Sequence, residues 1–351
     1  MIYGANGYTG ELIAREAVRR GLAPVLAGRS AEKVGALARE LGLEHRSFGL
    51  ETQDQVREGI SGMALVLHCA GPFSATARPM MEACIARGAH YLDITGEVAV
   101  FELAHTLDDE ARAAGVVLCP GVGFDVVPTD CLAAALKAAL PDATRLALGF
   151  DSRGGMSPGT ARTSVEGLPQ GGKVRRDGRL VSVPLAHRTR RIDFGDGEKL
   201  AMTIPWGDVS TAYHATGIPN IEVYIPASPK LVARLKRMNL VRPLLGLGPV
   251  QGWLKRRIGR TVQGPGEAQR ARTPTFVWGE VSNAAGRTVR GRVRVANGYD
   301  VTVHASLGIV ERVLAMSGVA GHLTPARLVG ETFVEELPGS EPIRVESAGG
   351  D

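Results

Sequence analysis

Short apolar runs alternate with longer amphipathic stretches through the first third of the chain. The runs are Met1–Tyr3, Pro24–Ala27, Ala64–His68, His90–Asp93 and Val116–Cys119. Between them lie Glu11–Arg20, Ala31–Leu41, a stretch from about Ala75 to Arg87 and another from Glu97 to about Ala114, each with helical spacing of its apolar residues. Strands too apolar to alternate, separated by helices of about 10–15 residues, predict a parallel sheet wound by right-handed crossovers. In such sheets ligands sit beyond the carboxyl ends of the strands. The loops at 4–10, 28–30, 69–74, 94–97 and 120–125 all fall at that edge.

From Gly121 the pattern changes. Thr129 or Asp130 is expected to cap an apolar helix, Cys131–Leu140. Strand-like segments follow at Arg145–Phe150, Leu180–Leu185, Lys199–Ile204, Glu222–Ile225, Phe276–Val281 and Val289–Val295. Asn297-Gly298 reads as a type I′ turn joining the last of these to a strand Tyr299–Ala305. Arg290, Arg292 and Arg294 alternate with valines, so they share one face, read as a solvated sheet face in preference to a nucleic-acid patch. His304 would fall on the same polar side. The fold class is α/β: a Rossmann-type doubly wound parallel sheet over residues 1–125, then an α+β substrate or dimerisation domain over 126–306. A tail, 307–351, is expected to pack back on the first domain.

A length of 351 residues suits two domains, and 44% hydrophobic with 22% charged residues describes a globular chain. No apolar run approaches the ~18 residues a spanning helix needs, and no secretory leader pattern opens the sequence, so a cytoplasmic location is expected. Met1 nearly abuts the first glycine turn; a start a few residues upstream would lengthen that strand without altering the loop. Cys69, Cys84, Cys119 and Cys131 have neither CxxC nor zinc-site spacing, which predicts reduced thiols and no metal. The net charge of +5 is local. Nine basic and no acidic residues lie between Ser228 and Arg260; set against the total, they leave the rest of the chain at −4. General nucleic-acid binding is therefore not expected. The same segment carries Leu231, Val232, Leu235, Leu240, Leu244, Leu245, Leu247, Trp253, Leu254 and Ile258, broken by Pro243 and Pro249. It reads either as a peripheral contact with an anionic membrane through 228–260, or as a flap or oligomer contact, such as a homodimer's, whose apolar side packs inward.

The chemistry begins at the amino end. Gly4, Gly7 and Gly10, with Asn6, Tyr8 and Thr9 between them, form a glycine-spaced turn from strand into helix. Such a turn lets the backbone approach a diphosphate and points helix amides at it. Where many NAD sites place an acidic residue after the second strand, this chain has Arg29 and Ser30, which suit a 2′-phosphate; the same pair also reads as a solvated Arg and a helix cap. For a proton donor, Tyr213 and His214 stand in a polar, glycine-bounded stretch, although packing explains each of them too. No Tyr-x-x-x-Lys, G-x-S-x-G or H-E-x-x-H pattern occurs. Glu97, Asp125 and Asp130 fall near the expected cofactor edge as ribose contacts, caps or loop supports. His68, on an apolar strand, reads as a core residue.

The blocks GANGYTG (4–10), AGRS (27–30), CAGPF (69–73), YLDITGE (91–97), PGVGFDVVPTD (120–130), STAYHATGIPNIEVYI (210–225), VWGEV (277–281) and HLTPARLVG (322–330) together resemble the saccharopine dehydrogenase-like oxidoreductases. Within them the chain is most similar to the trans-acting enoyl reductase branch. The resemblance implies NADP as cofactor, with roles falling on Gly4, Gly7, Gly10, Arg29 and Ser30, on Ala70, Gly71, Pro72 and Phe73, and on Thr95, Gly96 and Glu97. It carries over no catalytic residue. The expected activity is hydride transfer to a C=C or C=X bond of an apolar, lipid-derived small molecule. The alternatives are a non-catalytic dinucleotide-binding scaffold and a saccharopine-type amino-acid dehydrogenase, which would use Arg153 and Arg162 to hold carboxylates.

Overall fold

In the computed structural model, described for residues 1–152, 167–242, 245, 247–248, 250–252, 266, 270 and 272–348, the chain divides into two units. The first comprises residues 1–127 and 299–330, the second 128–298 and 331–351. This departs from the expected boundaries at the carboxyl end. The returning segment starts at Tyr299, and residues 331–351 belong to the second unit.

The first unit is built on β1 (Ile2–Tyr3), β2 (Leu26–Gly28), β3 (His45–Ser47), β4 (Leu65–His68), β5 (His90–Asp93), β6 (Val117–Cys119) and β15 (Gly321–His322). All pairings are parallel and the order is β15-β6-β5-β4-β1-β2-β3. Strand order therefore reverses between β1 and β4, where Ile2 pairs with both Leu26 and Leu67. The central strands are buried on both faces, which is why they read as unbroken apolar runs. Tyr3, Met80, Met81, Tyr91 and Leu118 are among the residues of its core.

The connecting helices are α1 (Tyr8–Arg19), α2 (Ala31–Leu41), α3 (Gln53–Gly59), α4 (Phe73–Arg87), α5 (Val98–Thr106) and α6 (Asp108–Ala114). α1 buries Gly10, Ile13, Ala14 and Ala17 and leaves Glu11 and Arg15 paired on its outer face. The single helix expected up to Ala114 is two, divided at Leu107.

Tyr299–Ala305 is not a strand. It opens the helix Gly298–Ala315, which buries Val301, Ala305, Ile309 and Val313 at four-residue steps. Over seven residues, valines at 301 and 303 imitate a strand; the helical period needs the longer window. His304 consequently leaves the expected hairpin face. It is half-buried, with Nδ1 2.8 Å from the Arg20 guanidinium and 3.5 Å from Glu16.

The second unit contains β7 (Arg145–Ser152), β8 (Gly172–Arg176), β9 (Arg179–Val183), β10 (Thr189–Asp193), β11 (Glu198–Ile204), β12 (Asn220–Pro226), β13 (Thr275–Ser282), β14 (Thr288–Val295) and β16 (Arg344–Ala348). The main path is β10-β11-β12-β7-β13-β14-β16, with β8 pairing β12 and β9. β12 and β7 run parallel and the other pairs antiparallel, the mixed sheet expected of an α+β domain. The tight hairpin joins β13 to β14, where Asn283 Oδ1 accepts from the Arg287 amide at 2.9 Å.

α7 (Val127–Ala139) starts before Thr129 and Asp130, so both lie inside its first turn, buried, and are not its caps. It lies on the sheet through Leu132 and Leu136. A Cβ at Gly279 would stand 2.6 Å from Leu136, and one at Gly291 2.8 Å from Leu132. On the arginine face Arg290 meets Glu280 at 2.7 Å, Arg292 meets Asp193 at 3.2 Å and Arg294 meets Glu341 at 3.3 Å. Each of these three cations is thus paired with a carboxylate.

Within 228–260, the helix Pro229–Met238 packs Val232 and Leu235 against Ala186 and Met202, so part of the apolar side faces inward. Trp253, Leu254, Ile258 and the basic residues 255–257 and 260 lie outside the described residues, as do Arg153 and Arg162. Among the described residues, the four cysteines are unbridged, and no helix is long and apolar enough to cross a membrane.

Candidate functional site

The loops following β1, β2, β4, β5 and β6 meet at one edge of the first sheet, and three of them are held by close backbone approach. Gly4 has φ +83°, and a Cβ there would stand 2.8 Å from both the Ala70 nitrogen and the Ala70 Cβ. The loop after β1 thus touches the loop after β4 across the point where strand order reverses, the usual ligand crevice of such sheets. At Gly10 a Cβ would fall 2.3 Å from the Gly4 carbonyl oxygen, so only glycine lets α1 sit this close to the turn. Gly28 faces the Asn6 side chain at 2.9 Å by the same measure.

The starts of α1, α2 and α4 at this edge differ in what they offer. Gly7 is the N-cap of α1 and supplies no side-chain cap. Ser30 caps α2, its hydroxyl accepting from the Lys33 amide at 3.4 Å. Arg29 beside it is exposed, and among the described residues no carboxylate pairs with its guanidinium. The start of α4 is filled from within the protein. Glu97 accepts from the Phe73 amide at 2.9 Å and the Ser74 amide at 2.7 Å, tying the loop after β5 to the loop after β4. This corrects the expectation that Glu97 faces a cofactor: its carboxylate serves α4. Gly71–Pro72, in the same loop, is a cis peptide and is exposed.

Beneath the edge lies a buried polar network. Asp93 accepts from the Tyr91 hydroxyl at 2.6 Å, the Thr95 amide at 2.9 Å and the Gly121 amide at 2.8 Å. Burial raises its carboxyl to about 6 against the opposing pull of these bonds. Thr95 is buried, and its hydroxyl accepts from the Glu97 amide at 3.0 Å. The network pins the loops after β5 and β6, so Thr95 is a loop support. Asp125 packs against Gly96, and burial raises its carboxyl to about 7. His68 is a core residue, as read from sequence. Its Nε2 lies 3.0 Å from the Thr76 hydroxyl, and burial lowers the ring to about 3, so it is neutral.

Two contributors come from the misread segment. Tyr299 meets the Tyr8 ring edge-on at 5.1 Å, and Thr302 Oγ1 accepts from the Phe124 amide at 3.0 Å. Their signal was available in the four-residue spacing from Val301 to Val313.

Tyr213 and His214 lie in the second unit, on the helix Asp208–Thr216, with their rings 5.5 Å apart. The Tyr213 ring packs under the guanidinium of buried Arg175 at 4.2 Å. Arg175 in turn donates to the Val209 carbonyl at 2.6 Å and the Gly178 carbonyl at 2.8 Å. The cofactor-edge residues all belong to the first unit.

The cradle fits a dinucleotide: small residues where a Cβ would block the backbone, a helix start without a side-chain cap, and an exposed cation after β2. Residues 1–119 match the family model described as the saccharopine dehydrogenase NADP binding domain. These residues form a saccharopine dehydrogenase-type NADP-binding domain. Its cofactor is NADP, as the resemblance implied.

The chain is also similar to curated proteins. The chain is 30% identical over 150 residues to a saccharopine dehydrogenase-like oxidoreductase of Rattus norvegicus, covering 37% of this chain and 35% of that one. It is 33% identical over 141 residues to a trans-acting enoyl reductase of Mycobacterium leprae, covering 37% and 33%. These matches span about a third of the length of either relative. Among solved structures, the apo saccharopine dehydrogenase (L-Glu forming) of Saccharomyces cerevisiae aligns with a TM-score of 0.67 over 99% of each chain, at 10% identity. That likeness extends the fold assignment to the α+β second domain.

Proposed function

We propose that the protein is an NADP-dependent oxidoreductase that reduces a C=C or C=X bond of an apolar, lipid-derived substrate by hydride transfer. The observation that carries the cofactor half is the glycine cradle at Gly4 and Gly10, joined to the exposed Arg29 where an acidic residue would select NAD. In this reading the amides from Gly7 to Gly10 receive the diphosphate, and Arg29 with the start of α2 receives the 2′-phosphate. NADPH supplies the hydride when bound. Asp125, half-buried with its carboxyl near neutral, is the first unit's group for holding a proton at that edge. Tyr213 and His214 are the second unit's donor candidates. The name of the Mycobacterium leprae relative, an enoyl reductase, supports acyl substrates.

Fluorescence titration with NADPH and NADH, on the wild type and Arg29→Ala, tests the cofactor assignment. We expect at least a tenfold NADPH preference, lost in the variant, since a charge-assisted bond contributes roughly 1.5–3 kcal/mol. Equal binding of both dinucleotides by the wild type would overturn it. NADPH oxidation with enoyl thioesters, compared with amino-acid and keto-acid pairs, tests the substrate class. Turnover of only the latter would favour the saccharopine-type reading, and turnover of neither the scaffold.

A further inference from the structure

We propose that the helix Pro229–Met238, with the residues just beyond it, is a docking surface for an anionic lipid bilayer. The helix is anchored by one side only: Val232 and Leu235 pack on Ala186 and Met202. Lys230, Arg234 and Arg237 are spaced i, i+4, i+7 and so form one stripe on the side turned away from that anchor. All three are exposed, as is Lys236, and among the described residues none of the four forms an ion pair. The contrast with the arginines of β14 is plain, since each of those meets a carboxylate.

Apolar side chains are exposed on this helix and in the residues that follow it. Leu231 is 41% exposed, Leu240 87%, Val241 47% and Leu247 53%. The other large exposed hydrophobics, Val18, Leu314 and Val345, are scattered singly. A stripe of positive charge with no ion-pair partner among the described residues, flanked by exposed leucines, matches a surface with anionic headgroups above a hydrocarbon layer. Two other occupants fit less well. A nucleic acid or acidic polymer would answer the cations but not Leu240 and Val241. A second copy related by a twofold axis would set the same cations against themselves across an interface with no acidic residue from Ser228 to Val241 to offset them.

Co-sedimentation of the full chain with vesicles of phosphatidylcholine containing phosphatidylserine, or of phosphatidylcholine alone, tests this at low and high salt. Anionic vesicles should bind the protein at low salt and release it at high salt, and neutral vesicles should not bind it. The triple variant Lys230→Glu/Arg234→Glu/Arg237→Glu should lose at least about a hundredfold in vesicle affinity. A milder triple Gln variant serves if the reversal misfolds, with circular dichroism and thermal unfolding of the full chain as the check on folding. Leu240→Ser should weaken vesicle binding about tenfold and leave binding to heparin unchanged. Absence of binding to anionic vesicles, undiminished binding by both triple variants, or an unchanged vesicle affinity for Leu240→Ser would each overturn the proposal. The last result would mark a plain polyanion site.

Discussion

Replacing Gly10 by alanine adds one methyl at the most crowded point of the cofactor edge. The new Cβ would stand 2.3 Å from the Gly4 carbonyl oxygen and 3.0 Å from the Ala5 Cα. Relief requires a shift of about 1 Å to reach ordinary contact, and the atoms in the way are backbone. The Gly4 peptide has little freedom to yield: its amide donates to the Ala27 carbonyl at 2.7 Å, and its carbonyl accepts from the Gly7 amide at 3.0 Å. Overpacking of this kind costs about 1–3 kcal/mol, and rigid neighbours place it at the upper end. Alanine returns up to about 1 kcal/mol of helix propensity. The net is roughly 2 kcal/mol, or a fall in Tm of about 4–8 °C for a unit of this size. Displaced first-turn amides should also weaken NADPH by about tenfold, equivalent to about 1.4 kcal/mol. Gly42→Ala is the control. Gly42 has φ +67° with nothing within 4 Å, so alanine there costs about 1–2 kcal/mol of backbone strain but leaves the cradle alone. Thermal unfolding and NADPH titration of both variants separate the effects. Wild-type Tm and NADPH affinity in Gly10→Ala would refute the steric argument; equal affinity loss in Gly42→Ala would refute its localisation.

Two further perturbations probe the supports of the site. Glu16 hydrogen-bonds to Arg19 at 2.6 Å and Arg20 at 2.9 Å, and chiefly the Arg19 bond lowers its carboxyl to about 2. A depressed carboxyl stabilises the fold above its unfolded pKa of about 4.3, and that stabilisation is lost as pH falls toward 2. Because Arg19 is largely exposed, we expect Glu16→Gln to cost about 1–2 kcal/mol at pH 7 and almost nothing near pH 2. Urea unfolding at the two pH values measures it, and a pH-independent difference would contradict the assignment. Glu97→Ala removes the acceptor of two helix-start amides, at roughly 1.5–3 kcal/mol for bonds to a charged group. Hydrogen exchange should accelerate at Phe73 and Ser74, and unaltered protection there would rule out the capping role.

How far the fold could be read depended on burial and on sequence distance. β1, β4 and β5 are covered on both faces, so apolar runs marked them without help from periodicity. β3 has exposed His45 and Ser47 and carries no such run, and β15 has two residues, too few for any pattern. Tyr299–Ala305 was ambiguous because Val301, Val303 and Ala305 satisfy a two-residue period before the helical one can be seen. The glycine turn was legible because its constraint lies within seven residues. The partner of Glu97 was not, because a carboxylate that caps a helix 23 residues earlier leaves no local signature of the capping-box kind.

That hidden contact bears on why the edge is selective. Among the helices that begin at the cofactor edge, α1, α2 and α4 follow the loops of β1, β2 and β4, and each start carries partial positive charge able to attract an anion. The protein answers one of them itself, placing the Glu97 carboxylate on the amides of Phe73 and Ser74. It gives α2 only the neutral Ser30 hydroxyl, with Arg29 alongside, and α1 no side-chain cap. Anions arriving from solvent therefore find α1 and α2, the two sites a diphosphate and a 2′-phosphate would need, while α4 is already satisfied. If Glu97 were removed, the start of α4 would become a competing phosphate site. Loss of NADPH affinity in Glu97→Ala would then come from misplaced binding as well as from a loosened loop, and added inorganic phosphate should narrow the gap between variant and wild type by filling the vacated site.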